Sequence, residues 1–216
     1  PENEYQTLCE TVGGTYVNIS MTSKHRINPF DLPKPFDQKE ANTSELLREN
    51  IITLTGLMGL MLGKLNPQEE SIIDKALLTC YEIKGITPDI KNPYEYEMPT
   101  MTDLQKILYS MEGGQDMANR LERYTTGTYS GLFGTQTNVD LSTGMICFCI
   151  RDLEPILRPM AMYILLNFIW SRVRSNLRKR MLVIDEAWNI VQHEDSGRFL
   201  HNLIKRSRKY YMGITT

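Results

Sequence analysis

The sequence predicts an α/β fold that combines a mainly parallel sheet with an inserted all-α domain. Strand and helix patterns alternate over the last third of the chain, at about 145–150, 159–177, 181–184, 196–206 and 211–216. Such alternation is typical of parallel strands joined by right-handed crossovers. The middle of the chain carries only helical patterns, so a helical insertion interrupts the α/β elements.

Local signals define the elements of the first two thirds. Residues 5–11 predict a short helix, the two glycines at 13 and 14 a turn, and the alternating residues 15–19 a strand. A helix capped by Thr43 or Ser44 is predicted to run to about residue 62, and Asn66 followed by a proline predicts the start of the next. Residues 102–105 have the spacing of a capping box, and a further helix is predicted at about 115–124.

Composition places the chain among ordinary globular proteins. It has 216 residues, of which 41% are hydrophobic and 23% charged, with a formal net charge of −2. That charge excludes a general attraction to nucleic acid or to membranes. The distribution is uneven, because residues 172–209 contain ten Lys or Arg and four Asp or Glu. The region therefore predicts a local basic surface. Its first run, Arg172, Arg174, Arg178, Lys179 and Arg180, is either a solvated face at the end of a helix or a contact with DNA.

An apolar run that ends in two carboxylates is the most informative motif. The run 181–184 is continuous rather than alternating, which is typical of a strand buried on both faces of a parallel sheet. Ligands bind beyond the carboxyl ends of such strands, where Asp185 and Glu186 follow. We interpret the run as a Walker B strand, in which Asp185 holds the hydration shell of Mg²⁺ and Glu186 deprotonates the attacking water. The alternative is a surface strand that leads into a helix with an acidic first turn.

The motif that cradles phosphates does not occur in the sequence. No Gly-x-x-x-x-Gly-Lys-Ser/Thr is found, although its backbone amides and lysine normally hold the phosphates of a bound nucleotide. The chain also begins at Pro1 rather than at a methionine. We therefore expect it to be part of a larger protein, to carry half of a nucleotide site, and to be inactive as an ATPase on its own.

A set of short motifs, taken in order, resembles one family. The motifs are Pro1 to Tyr5, Asn28-Pro29-Phe30, the helical insertion, Arg123-Tyr124 with Gly127, Tyr129 and Leu132-Phe133, Asp185 to Trp188, and Arg208-Lys209 before the last strand. Together they resemble the TraC/TrbE-type ATPases of conjugative and other type IV secretion systems, within the broader HerA/FtsK group. The resemblance spans nearly the whole chain.

The resemblance implies a RecA-like P-loop NTPase core. Residues 1–36 and 128–216 would form this motor core, and residues 37–127 the all-helical insertion. ATP and Mg²⁺ are the implied cofactors. Asp185 would contact the metal through water, Glu186 would be the general base, and Glu4, from an Asp-Pro-x-x-Glu-Tyr motif, would contribute to nucleotide binding.

Two arginines near the end of the chain have two interpretations. Arg206 and Arg208 are the best candidates for an arginine that completes the site of a neighbouring subunit, because guanidinium groups stabilise charge on phosphoryl oxygens. Alternatively, they only favour the C-terminal end of a helix through its dipole.

The leading functional hypothesis is an ATP-hydrolysing motor that powers pilus biogenesis or the transfer of DNA or protein. The implied partners are other secretion subunits, including the coupling ATPase, with a homo-hexamer as the assembly and DNA as a further candidate. The expected location is the cytoplasmic face of the cell membrane, in peripheral contact with the inner membrane complex. The alternatives are a non-catalytic scaffold that docks partners and a HerA-like DNA translocase.

Overall fold

Four short strands form two parallel pairs in the computed structural model, which describes residues 4–34, 42–139, 142–185, 187 and 194–216. Strand β1 (Thr15–Asn18) pairs with β2 (Ile146–Cys149), and β3 (Arg180–Val183) pairs with β4 (Met212–Thr215). The predicted strands and their parallel direction are confirmed. Within the described ranges the two pairs are separate sheets, so the expected continuous sheet is not formed there.

Eight helices accompany the strands in the described part of the chain. They are α1 (Glu4–Thr11), α2 (Thr43–Leu62), α3 (Pro67–Ile83), α4 (Met101–Ser110), α5 (Gln115–Thr125), α6 (Ser130–Phe133), α7 (Arg158–Ser175) and α8 (Glu194–Ser207), with 3₁₀ turns at Pro93–Glu95 and Arg208–Tyr210. Helices α2 to α6 all lie between β1 and β2 in sequence. The domain boundaries at residues 36 and 127 stay a prediction.

Asparagine and threonine residues cap the helices α2, α3 and α4. Asn66 caps α3 as predicted, and its side chain accepts from the backbone of Glu69 while the Glu69 carboxylate accepts from the Asn66 N–H. Two other predicted caps are wrong by one or two residues. Asn42 rather than Thr43 or Ser44 caps α2, and the capping box of α4 pairs Thr100 with Asp103 instead of beginning at Thr102.

A large apolar core joins the β1–β2 pair to helices α2 to α7. Val17 and Ile19 from the strand region pack in the same cluster as side chains from α2, α3, α4 and α5. Helix α7 contributes six residues, Met160, Ala161, Tyr163, Ile164, Leu165 and Phe168. The Tyr163 ring lies directly against α2, because a Cβ on Gly56 would stand 2.5 Å from the Tyr163 hydroxyl oxygen.

A second, smaller core holds the β3–β4 pair against α7 and α8. Its buried members are Leu166, Val173, Ile184, Leu200, Leu203 and Met212. The structure contradicts the prediction that β3 is buried on both faces, since Met181 is 70% exposed and Val183 is 60% exposed. The reason is that α7 and α8 cover one face of the pair, so alternate side chains along β3 point away from the core.

No helix among the described residues is both long and apolar enough to span a membrane. The apolar residues of α7 face two cores, and Arg172 and Arg174 occupy its last turn.

A buried hydrogen-bond network ties α3 to the loop that follows β1. Tyr81 is fully buried, its hydroxyl donates to the Phe30 carbonyl at 2.7 Å, and the Asn50 amide donates to the same hydroxyl at 2.6 Å. Burial raises the pKa of Tyr81. The hydroxyl therefore remains protonated and serves as both donor and acceptor.

Removing the Tyr81 hydroxyl measures what this network contributes. Tyr81→Phe deprives the Phe30 carbonyl and the Asn50 amide of their shortest partner, so we expect the free energy of unfolding to fall by about 1–3 kcal/mol. Equilibrium unfolding in urea measures the change. The matched control is Tyr109→Phe, whose hydroxyl bonds Asn119 at the surface and whose effect should stay within about 0.5 kcal/mol. If both variants lost the same free energy of unfolding, the Tyr81 network would not make the proposed contribution to stability.

Candidate functional site

Asp185 stands just beyond the carboxyl end of β3. The strand pairs with β4 through Val183 and Thr215, and the Ile184 N–H continues the ladder by donating to the Thr215 carbonyl at 2.9 Å. Ile184 is anchored in the second core, while Asp185 is exposed. The sequence therefore buries the end of the strand and presents a carboxylate at the edge where ligands bind in parallel sheets.

Helix α1 reaches this edge from the other strand pair. It packs on β1 and β2 through the buried Cys9, and a tight turn at Gly13 and Gly14 returns the chain to β1. The approach is close, because a Cβ on Gly14 would lie 2.7 Å from the Cys9 sulfur and 2.8 Å from the Met145 carbonyl oxygen. Only glycine fits at this position without a shift of the backbone.

Tyr5, in the first turn of α1, contacts Asp185 across 180 positions of sequence. Its hydroxyl donates a hydrogen bond of 3.1 Å to the Asp185 Oδ2 atom. The Tyr5 side chain is 52% exposed, so packing against other side chains does not by itself hold it in this position. The hydrogen bond to Asp185 and the charge of that carboxylate both raise the pKa of the Tyr5 hydroxyl.

The predicted site residues fall into three groups. Glu4 precedes Tyr5 in the first turn of α1, and after the larger effects of Asp185 its charge also raises the pKa of the Tyr5 hydroxyl. Glu186, the predicted general base, lies outside the described residues, as does Trp188. Arg206, in the last turn of α8, and Arg208, in the 3₁₀ turn that follows it, precede β4. They belong to the opposite edge of the sheet, because the first residue of β4 pairs with the first residue of β3.

The separation of the arginines from Asp185 follows from strand geometry. Asp185 is five residues beyond Arg180, and a strand rises by about 3.3 Å per residue, which gives on the order of 15 Å. The segment that contains Arg206 and Arg208 meets Arg180 at the amino ends of the strands, so the structure does not bring these arginines together with Asp185.

Asp185 suits a magnesium ion of the kind that nucleotides bring. Mg²⁺ is usually bound through one or two carboxylates together with water and phosphate oxygens, rather than by a protein cage. Within the described part of the chain no group of three or more His, Cys, Asp or Glu side chains could hold a metal. An exposed carboxylate at the end of a parallel strand, oriented by a tyrosine hydroxyl, fits this type of metal.

A groove among the described residues lies away from Asp185. It has a volume of about 780 Å³ and is lined mainly by α2, α7 and the segments around residues 27–34 and 94–98. A pocket of this size is ordinarily the first candidate for a ligand site. Of the predicted site residues, Arg206 lines the groove, whereas Glu4 and Asp185 do not. We therefore distinguish the groove from the carboxylate site.

Comparison with known proteins identifies the family. The model of the TraG P-loop domain family matches residues 2–216. The chain belongs to the TraG P-loop domain family. It therefore has a P-loop NTPase fold with parallel strands, in an ATPase family of type IV secretion and conjugation, as the ordered motifs predicted.

Solved structures agree with membership of the TraG P-loop domain family. The chain is similar to VirB4 of Thermoanaerobacter pseudethanolicus with a TM-score of 0.84 and 26% sequence identity, over 99% of this chain and 83% of that chain. No curated protein matches the chain significantly. The family is named for a P-loop, and the corresponding Gly-x-x-x-x-Gly-Lys-Ser/Thr motif is not among the 216 residues of this sequence.

The sequence did not predict the part that Tyr5 plays. Tyr5 was included in the Asp-Pro-x-x-Glu-Tyr motif, but no property of that motif indicates a partner 180 residues away. The three-dimensional arrangement makes Tyr5 a positioning residue for the Asp185 carboxylate.

The ionisation of Tyr5 tests the contact directly. In the wild-type protein the Asp185 charge opposes formation of the Tyr5 phenolate, so Asp185→Asn should lower the pKa of Tyr5 and shift its titration to lower pH. The measurement is the Cζ chemical shift of ¹³C-labelled tyrosine as a function of pH. The Tyr109 signal, from a hydroxyl that bonds Asn119, should be unchanged. A Tyr5 titration that is the same in both proteins would show that the two side chains do not interact.

Proposed function

We propose that this chain is most of the motor domain of a TraC/TrbE-type ATPase in a type IV secretion system. The observation that carries the proposal is the Asp185 carboxylate, which follows a parallel strand and is bonded by Tyr5 from the other strand pair. Membership of the TraG P-loop domain family supports ATP as the nucleotide. The intact protein would hydrolyse ATP and use the energy for pilus biogenesis or for transfer of DNA or protein.

Each residue of the candidate site has a role in this proposal. Asp185 holds a water of the Mg²⁺ shell, and Tyr5 fixes the orientation of its carboxylate. Glu186 accepts the proton of the attacking water. Glu4 lies beside Tyr5 and contributes to the nucleotide-binding surface. Bound Mg²⁺ neutralises charge on the phosphates during hydrolysis.

Two single substitutions in the full-length protein separate the two carboxylate roles. Glu186→Gln should leave ATP binding intact and reduce turnover by about 10²- to 10⁴-fold, since it removes only the general base. Asp185→Asn should also reduce turnover, and it should in addition raise the Mg²⁺ concentration needed for half-maximal nucleotide binding. Steady-state phosphate release and binding of a fluorescent ATP analogue measure the two effects.

Two controls apply to these substitutions, and one result would refute the role of Glu186. Glu82→Gln removes an exposed carboxylate on α3 and should leave both measurements unchanged. The 216-residue chain by itself should show no turnover, because it has no phosphate-cradling motif of its own. Near-normal turnover by Glu186→Gln would refute the assignment of the general base.

We further propose that Arg206 or Arg208 acts on the nucleotide of a neighbouring subunit in a homo-hexamer. Their position at the edge opposite Asp185 supports action between copies of the chain. Arginines supplied to a phosphoryl-transfer site from another subunit can contribute about 10³- to 10⁵-fold to the rate. Both arginines are exposed and therefore accessible to a second copy.

Mixed assemblies test action between subunits. The double variant Arg206→Ala/Arg208→Ala should bind ATP and lose most turnover, as should Glu186→Gln. Mixing the two variants should restore part of the activity, because some interfaces then combine an intact arginine with an intact Glu186. Lys106→Ala, at an exposed position on α4, is the control. Full turnover by the double arginine variant would be incompatible with this role.

The same proposal extends to partners and location. The other subunits of the secretion channel, including its coupling ATPase, are the proposed partners. The proposed location is the cytoplasmic face of the cell membrane, in peripheral contact with the inner membrane complex. A docking scaffold without catalysis is the alternative, and absence of turnover in the wild-type full-length protein under assembling conditions would favour it.

A further inference from the structure

Three exposed cations line the groove bounded by α2, α7 and the segments 27–34 and 94–98, which we call the α2–α7 groove. They are Lys34, Arg172 and Arg206. Among the residues that the structure describes, no carboxylate lies within 4.0 Å of their charged nitrogens. Positive charge collected in a concave surface attracts an anionic group.

Aromatic rings position two of these cations. The Lys34 ammonium lies 5.5 Å from the centroid of the Tyr94 ring, and the Arg172 guanidinium lies 5.5 Å from the centroid of the Phe168 ring. The Tyr94 ring is itself fixed, because its hydroxyl donates to the Pro33 carbonyl at 2.6 Å. A cation held against a ring keeps N–H groups for an anion and loses less conformational freedom when one binds.

A carboxylate near Lys34 and Arg172 is less accessible than they are. Asp31 is half-buried. Burial raises the pKa of Asp31, whereas a hydrogen bond from Thr137 and the charges of Arg172 and Lys34 lower it. These charges act from more than 4.0 Å away, since no ion pair forms between them and Asp31 among the described residues. The exposed cations are therefore the groups that a ligand meets at the surface.

The other two acids that line the α2–α7 groove already have basic partners. Glu49 pairs with Arg174 at 2.8 Å, and Glu97 pairs with Lys84 at 3.3 Å. Only Asp31 is left to balance the three exposed cations, so the groove keeps a net positive charge.

Exposed apolar side chains line the same groove. Ile52 of α2 is 64% exposed and Tyr96 is 38% exposed, and both line the groove together with Met98. Leu57 and Ile164 also line it, although they belong to the large core and are almost fully buried. Apolar side chains that are exposed in a concave surface can anchor the apolar side chains of a partner.

The arrangement of these groups favours a protein segment over a nucleotide or a membrane. A nucleotide base would need a free aromatic face, but the Tyr94 and Phe168 rings face cations and the Trp170 ring contacts Tyr210 at 4.8 Å between centroids. A membrane surface is bound by an apolar face that projects outward, whereas the apolar residues here line a groove. Arginine guanidinium groups bind carboxylates through two parallel hydrogen bonds.

We propose that the α2–α7 groove binds an acidic segment of a partner protein. The carboxylates of this segment would contact Lys34, Arg172 and Arg206, and its apolar side chains would pack against Ile52 and Tyr96. The groove lies away from Asp185, so binding does not require a nucleotide at the carboxylate site. The proposal names a docking surface and a partner chemistry in addition to the proposed ATPase.

A designed peptide tests the proposal. The probe is a fluorescein-labelled 12-residue peptide in which Asp and Glu alternate with Leu and Phe, and its binding to the full-length protein is followed by anisotropy without ATP. Lys34→Ala/Arg172→Ala should bind it about 2- to 30-fold more weakly, because two exposed ion pairs are lost. Added salt should weaken binding to the wild-type protein more than to this double variant, since salt screens exposed charges.

A separate substitution tests the apolar part of the groove. Ile52→Gln should weaken binding of the peptide by about 10-fold, because it removes apolar surface that the ligand would bury. Glutamine is a good helix former, so α2 should be retained. Thermal unfolding near the wild-type temperature establishes that each variant folds.

Matched controls separate the α2–α7 groove from general charge and from the ATPase. Lys64→Ala/Lys75→Ala removes two exposed cations that do not line the groove, and Ile83→Gln replaces an isoleucine on α3 that is 68% exposed. Both should bind the peptide as wild type does. Arg206 remains in place in all variants, so ATP turnover should be unchanged. Peptide binding should also persist in Glu186→Gln, whether or not that variant hydrolyses ATP.

Four results would overturn the proposal. One is the absence of peptide binding by the wild-type protein, and another is an equal loss of affinity in the groove variants and their controls. A third is equal affinity for a peptide with Lys in place of Asp and Glu, since the charge of the groove would then select nothing. A fourth is that the groove variants lose affinity for a fluorescent ATP analogue or for phosphatidylserine vesicles while they bind the peptide normally.

Discussion

The packing of α7 in two cores at once is the constraint on which the rest of the structure depends. One set of its side chains, including Ile164 and Phe168, lies in the core of β1, β2 and the helical region, while Leu166 and Val173 lie in the core of β3, β4 and α8. A helix with apolar residues on more than one face must be covered on each of them. In the described structure α7 therefore holds two strand pairs that do not hydrogen-bond to each other.

Besides α7, the hydrogen bond between Tyr5 and Asp185 also connects the two strand pairs, and it lies at the candidate site. Tyr5 belongs to α1, which packs on the β1–β2 pair, and Asp185 follows β3. Because their hydrogen bond joins the two halves, any shift of β3 relative to β2 changes the orientation of the Asp185 carboxylate. An exposed hydrogen bond contributes little to stability, so its main effect is to orient the side chain.

The sequence predicted local features well and spatial relations poorly. Capping residues such as Asn66 and the alternation of apolar segments depend on neighbours within a few residues, and they gave the helices and strands nearly as they are. The prediction that β3 is buried on both faces was wrong. Burial depends on whether other elements cover one face of the strand or both, and the residues Met181 and Val183 alone do not encode that. The partner of Asp185 and the meeting of Arg180 with Tyr211 depend on long-range pairing, for which one sequence contains no direct signal.

The direction of the parallel strands explains why the charged residues separate into two groups. Strands β3 and β4 run the same way, so residues that precede them collect at one edge and residues that follow them collect at the other. The segments before both strands are basic, and the segment after β3 is acidic. An antiparallel pair would have mixed these groups and neutralised them. The parallel pair instead keeps the cations that precede β3 and β4 at the edge opposite the Asp185 carboxylate.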